Sequence, residues 1–521
     1  LHDALPISGY AFMHKSMHEA ALNLLAPDEK DAFHYAAACH YALAAGQDRG
    51  GALLFWAAHH VMSIKQASGL VTETEPVCRL LLQAGKQAKM TGDYVSALRY
   101  LQAARGFRET ESHHNDSELL LEEAECEFLN GNLPAALEAG SKILALPGDM
   151  TDKAEAACLV AEIHMRRSDS QLALETALAW LSVFGIRLKR YPDKAECDAA
   201  RLLLKQDVGK NPYTRFRTLP RLDCRKTEAI MDLMASASTV AAFISPRLQF
   251  MILCRLLHLT MAHGISGAST LALSWYGVVC GDQYDEYSRG FASTLLAREL
   301  VYKHDFVSYK ARTLLPIDQV SIWTMPLTYA IECAKATFDV AVENGDRTTA
   351  CLALRHLTMN TLARGDHLDS VHTAITRGMV YVRKAQYRDV EVILRMQRDY
   401  VTFLRKPSGG AFSGDQFQTP PINAARPELA VEPLFLMQFW SRLYKGMAHF
   451  FAGEYDAAGR FFAEAAPLTA FIPGHVHILD FHLYSALALS VPLTPAEFDR
   501  QKRRGFMRHL EKVVTWANEN A

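Results

Sequence analysis

The sequence predicts an all-α chain folded as a solenoid of paired helices, and three observations predict it. Apolar residues recur at three- and four-residue spacing along nearly the whole chain, the period of helices with one buried stripe. Runs of β-branched residues in strict alternation, which half-buried strands require, are almost absent. Small residues also return at a fixed spacing of i, i+7 and i+12: Gly85, Gly92 and Ala97; Ala124, Gly131 and Ala136; Ala161, Ser168 and Ala173; and Gly446, Gly453 and Ala458.

The spacing has a physical reading. A small residue on one helix and an alanine on the next let two antiparallel backbones approach, and the residue between them takes the left-handed conformation that ends the first helix. Asp93, Asn132, Asp169 and Glu454 follow that turn, where a polar side chain is expected to meet the free N–H groups of the next helix. Leu101 and Phe462 fall where the second helix faces the first. This is the pattern of a tetratricopeptide-like hairpin, and the first three copies lie 39 and 37 residues apart, slightly above the usual ~34. The expected fold is therefore an α-solenoid of tetratricopeptide-like helical hairpins. Looser copies are expected at Gly281-Asp282-Gln283-Tyr284, at Gly345-Asp346 with Ala350, and at Ala363-Arg364-Gly365-Asp366.

In chain order, residues 1–8 (LHDALPIS) resemble sequencing-adapter read-through and are excluded from the fold. Residues 9–74 read as first helices and 75–192 as a tetratricopeptide-like array, closed by the Gly185-to-Pro192 stretch. Residues 193–405 read as degenerate hairpins, with 205–223 as a crossing loop. Residues 406–427 (KPSGGAFSGDQFQTPPINAARP) are rich in Gly, Ser and Pro and read as a flexible linker. Residues 428–521 return to hairpins and are expected to be truncated at the C-terminus.

Composition narrows the function. The 521 residues carry 55 Lys+Arg against 57 Asp+Glu, a balance that argues against a chain built to neutralise phosphates, so no nucleic-acid partner is expected. No window reaches the ~18 uninterrupted apolar residues of a membrane helix, and no membrane insertion is expected. The ten cysteines stand singly with no CxxC pair, which fits small buried thiols in a reducing cytoplasm. The aromatic groups at Phe55-Trp56, Phe461-Phe462 and Trp440 with Tyr444 fit helix-packing spacing and are read as core.

Motifs that would carry chemistry are missing. Gly85-Lys86 and Gly209-Lys210 lack both the earlier glycine and the following hydroxyl of a phosphate-binding loop. No HRD, DFG, GxSxG or HExxH motif occurs. His475, His477 and His482 invite a metal reading, and an enzyme would need them to hold one. On a helix, however, His475 and His482 share a face while His477 points elsewhere, and zinc sites more often use an i, i+4 pair. His59-His60 and His113-His114 are adjacent and diverge. Two basic runs, 215–226 and 502–508, read as solvated helix ends. No catalytic, cofactor-binding or metal-ligating residue is assigned, and no cofactor is expected.

A family resemblance adds to this. Phe12-Met13-His14 with Ala20-Ala21, then His34 with His40-Tyr41, are followed by LLLQAGKQAKMTGDYVSALRYL at 80–101 and Leu181-Ser182-Val183-Phe184-Gly185-Ile186. LARGDHLDSV before Gly378, RDVEVILRMQRDYVTFLR at 388–405 and DFHLYSALAL at 480–489 come next, and the chain stops at Trp516-Ala517-Asn518 and the few residues after it. In that order these stretches resemble the central part of large bacterial signalling proteins that join a serine/threonine-kinase-like domain, an AAA-type (STAND) ATPase, a helical repeat region, a GAF sensor and often a sensor histidine kinase. Lys15 stands where that family usually has an acidic residue. The resemblance implies that residues 9–74 hold the helical end of the ATPase's winged-helix arm before the first helices, and that the chain is a non-catalytic scaffold and sensor arm whose kinase, ATPase and phosphoacceptor residues lie outside these 521. Its partners would be a protein or peptide on the concave face, or neighbouring domains of the same chain, with self-association left open. The alternative is a stand-alone tetratricopeptide adaptor for protein–protein interaction.

Overall fold

The structure is a computed structural model that describes residues 20, 23–45, 51–64, 74–108, 117–209, 212–405, 435–491 and 500–519. Residues 1–8, the Phe12-to-Lys15 segment, His113-His114 and the 406–427 linker lie outside the described residues. Among those described, 23 α-helices and two 3₁₀ turns account for the regular structure, with a single isolated β-bridge between Arg221 and Ile265. The chain is an all-α array of tetratricopeptide-like hairpins.

It divides into two compact units, Leu1–Gly148 and Asp149–Ala521. In the first, helices pair as three hairpins: α1 (Pro27–Ala45) with α2 (Ala52–Ser63), α3 (Thr74–Met90) with α4 (Tyr94–Arg108), and α5 (Ser117–Asn130) with α6 (Leu133–Ala145). Leu81, Ala84, Ala97 and Leu101 form the fully buried seam between α3 and α4. A buried leucine such as Leu101 contributes ~1.5–3 kcal/mol.

The second unit opens with the hairpin α7 (Met150–Arg166) and α8 (Ser170–Val183), followed by α9 (Lys194–Val208) and the short α10 (Pro212–Thr218). Then come α11 (Arg225–Ile244) with α12 (Pro246–His263), α13 (Gly267–Tyr284) with α14 (Tyr287–Lys303), and α15 (Lys310–Ser321), which packs against α13, α14 and the following helix. The remaining hairpins are α16 (Leu327–Glu343) with α17 (Arg347–Arg364), α18 (Leu368–Lys384) with α19 (Arg388–Leu404), α20 (Phe435–Phe451) with α21 (Tyr455–Ala465), and α22 (His477–Ser490) with α23 (Arg500–Glu519). By length and composition α11 could cross a membrane; here it packs against α7, α8, α12 and α13 and buries Met231, Leu233 and Met234 completely.

All four small-residue windows form the expected turn. At the first, Gly92 has φ 81°, its N–H donates to the Lys89 carbonyl and the Asp93 N–H donates to the Ala88 carbonyl, the paired bonds of a Schellman ending. The same pair closes the helices at Gly131, Ser168 and Gly453, and each time the alanine five residues on opens the next helix by donating to the residue after the turn. A Cβ on Gly85 would sit 2.7 Å from Leu101 Cδ2, and one on Gly446 would sit 2.5 Å from Phe462 Cε1. Those two glycines therefore exist for close helix contact.

Several expectations need correcting. Gly281 is helical within α13, facing Tyr287, and the turn falls at Asp285 with φ 53°. Asp93 and Asp169 do cap, accepting from the Ser96 and Leu172 N–H groups at 3.0 and 3.1 Å. Asn132 and Glu454 do not: Asn132 turns back to Glu127 and Glu454 to His449, both five residues earlier on the preceding helix. Residues 205–223 are largely the end of α9 and all of α10 rather than a loop. Trp56 is 55% exposed instead of core, while Phe55 stacks on Tyr100. The turn at Gln386 (φ 56°) repeats the Schellman bonds without any glycine, so residue spacing missed it.

Candidate ligand-binding site

Within the second unit a cavity of about 100 Å³ is lined by single faces of several helices. From α11 come Ser236, Thr239, Val240 and Phe243; from α15, Arg312, Leu315 and Gln319; from α17, Thr348, Leu352, Arg355 and His356. On α15 the residues step by three and four, and on α11 and α17 each set spans two turns of one side with one adjacent pair, so one helical stripe of each helix faces inward. Leu271 and Trp275 of α13, Leu436 of α20, and Phe471, Pro473 and His475 just before α22 complete the wall. Most of this surface is aliphatic or aromatic. Pro316 lies inside α15 and has no N–H to give the Arg312 carbonyl one turn back.

The polar groups are arranged unevenly. Arg312 is held by two carboxylates, Glu162 at 3.0 Å and Asp346 at 3.3 Å, and the Glu162 charge keeps its guanidinium above its usual range despite burial. Arg355 is 5% exposed and, among the described residues, has no carboxylate at ion-pair distance. Its Nη2 donates to His356 Nε2 at 2.8 Å, its Cζ lies 5.3 Å from the Trp440 ring centre, and its Nε has no partner. Burial pushes Arg355 down to about 10, so it remains a cation at neutral pH.

Around it the histidines are neutral. Burial lowers His356, holds His475 well below its ordinary value, and lowers His477 to about 3. A neutral His356 that accepts at Nε2 must carry its proton on Nδ1, which points at Asp318 Oδ1, 3.0 Å away. Asn360 donates to the other Asp318 oxygen at 3.1 Å. Asp318 therefore touches Arg355 only by way of the imidazole, while its charge acts on the guanidinium through space without contact. Gln319 Nε2 lies 2.9 Å from His475 Nε2, leaving the Gln319 side-chain carbonyl buried without a partner, as is that of Gln249.

The sequence-singled histidines scatter. His475 precedes α22 and joins the cavity wall, His477 bonds the Tyr444 hydroxyl at 3.0 Å, and His482 pairs with His509 at 2.9 Å. Among the described residues no three His, Cys, Asp or Glu side chains gather in a metal-binding arrangement. In the 215–226 run, Arg217 pairs with Glu299 and Arg225 with Glu155. Sequence reading missed Arg355 altogether. The available signal was an Arg-His pair inside the apolar run of α17 (CLALRHLTMN), where a solvated charge is out of place.

Asp480 lies one turn along α22 from His477, and burial pushes its carboxyl up to about 7. An acid raised this way favours the folded state most at low pH, and that advantage is lost as pH climbs from ~4 through the folded value. Asp480→Asn is therefore expected to leave thermal stability unchanged at pH 4 and to raise it by on the order of 2–4 kcal/mol at pH 8. Thermal melts at the two pH values check this, and an equal change at both would contradict the burial.

No protein-family model and no curated protein sequence matches the chain. Among solved structures, it is similar to a Rap protein complexed with competence and sporulation factor, at 11% identity over 85% of this chain and 97% of that one, with a TM-score of 0.38. It is also similar to a signal transduction ATPase with numerous domains (STAND) protein with a tetratricopeptide repeat sensor from Pyrococcus horikoshii, at 11% identity over 87% and 68%, TM-score 0.35. A third is yeast Tom70, at 14% identity over 85% and 86%, TM-score 0.29. At such TM-scores their helices do not superimpose on this chain in detail.

Proposed function

We propose that this chain is a non-catalytic sensing and protein-interaction arm, working in the cytoplasm without a cofactor, within a bacterial ATPase–kinase signalling protein. The observation that carries the sensing role is the cavity bounded by faces of helices from separate hairpins. An occupant there touches several repeats at once, so any difference in their arrangement between two states becomes a difference in affinity. The ordered family-like stretches of the sequence support the signalling context, and a stand-alone adaptor is the competing context.

The interaction role is tested by panning a random dodecapeptide phage library against the full chain. Peptides enriched over an unrelated helical protein are the expected result, and no such enrichment would reject the role. Sequencing the gene across both ends tests the context. An in-frame Walker-type ATPase upstream is the expected result, and start and stop codons bracketing these residues would leave the adaptor.

A further inference from the structure

The cavity holds an imbalance that the packing alone does not resolve. Its wall is mostly apolar, with Phe243, Leu271, Trp275 and Leu352 on several sides, yet one wall residue is a nine-tenths-buried guanidinium. Burying a cation costs several kcal/mol unless a counter-charge meets it. Arg312, in the same wall, shows how this chain ordinarily meets that cost, with two carboxylates in direct contact. Arg355 has a neutral imidazole, an aromatic face and an unpartnered Nε instead.

We propose that the cavity binds a small monocarboxylate with a compact apolar body, its carboxylate on Arg355 and its body against Phe243, Leu271, Trp275 and Leu352. This deepens the sensing role and rests on that reading. The space, about 100 Å³, suits a single ring or short branched chain. The carboxylate supplies the contacting counter-charge that Arg355 lacks, and a charge-assisted bond in a largely apolar recess is stronger than the same bond in water. His356, held by Asp318, fixes the guanidinium in place, and Trp440 backs it.

Isothermal titration of the full chain with phenylacetate and with phenylacetamide tests this. The two share shape and differ in charge, so the acid is expected to bind at least about tenfold more tightly. Arg355→Met is expected to abolish that preference while leaving the amide's affinity unchanged, and the acid-to-amide ratio of the native chain stands as a test even if the variant folds poorly. Equal affinities, or no heat from either compound at millimolar concentration, would overturn the assignment. N-acetylphenylalanine binding more tightly than phenylacetate would also overturn it, in favour of a peptide terminus. Peptide panning reads out independently, so the carboxylate assignment can fail while the interaction role survives.

Discussion

Ala97→Asp is expected to unfold the α3–α4 hairpin. Ala97 is fully buried at the first turn of α4, where the two helices approach closely enough that Gly85 has no room for a Cβ. A carboxylate there has neither water nor a placed cation, and a buried unpaired charge costs about 3–5 kcal/mol. That is a large share of the 5–15 kcal/mol typical of a folded domain. Hydrogen exchange should show α3 and α4 losing protection, and the melting temperature should fall. Val95→Asp, two residues away at a half-exposed position, serves as the control and should stay within about 0.5 kcal/mol of the native chain. An unchanged melt for Ala97→Asp would reject the buried seam.

The second large effect is expected at Trp440→Ala. The ring is completely buried in the core of the second unit, 5.3 Å from the His475 ring and 6.0 Å from the His477 ring, with the Arg355 guanidinium over its face. Truncation removes the largest completely buried side chain of that core, and such losses cost about 3–5 kcal/mol. It also strips Arg355 of an aromatic contact worth ~0.5–2 kcal/mol. Trp440→Phe should cost far less, because the indole N–H has no partner to lose and a ring still faces the cation. Urea unfolding is expected to show a lowered midpoint with an unchanged slope for the alanine variant. Equal midpoints for Ala and Phe would mean that the ring is not part of the packing.

The contrast between these two positions shows where sequence reading works. Ala97, Gly85 and Gly92 were legible because their constraint is local: a left-handed residue and a close helix contact, all within about 20 residues of chain, admit few residue types. The turn at Gln386 marks the limit, since it has the same bonds but a residue that spacing does not flag. Trp56 marks another, because a helical aromatic reads as core whether or not a neighbour covers it.

By itself, then, the sequence determined the helical class, the hairpin unit and the place of its turns, each through backbone conformation and contact between neighbours in the chain. Only the tertiary structure decided the cavity. Arg312 meets Glu162 from 150 residues away, Gln319 meets His475 across 156, and His356 meets Asp318 across 38. The identity of such partners depends on which helix faces are brought together by the packing of separate hairpins. An arginine paired by two carboxylates and one paired by none look alike in a sequence, and become different objects once burial and distance are fixed.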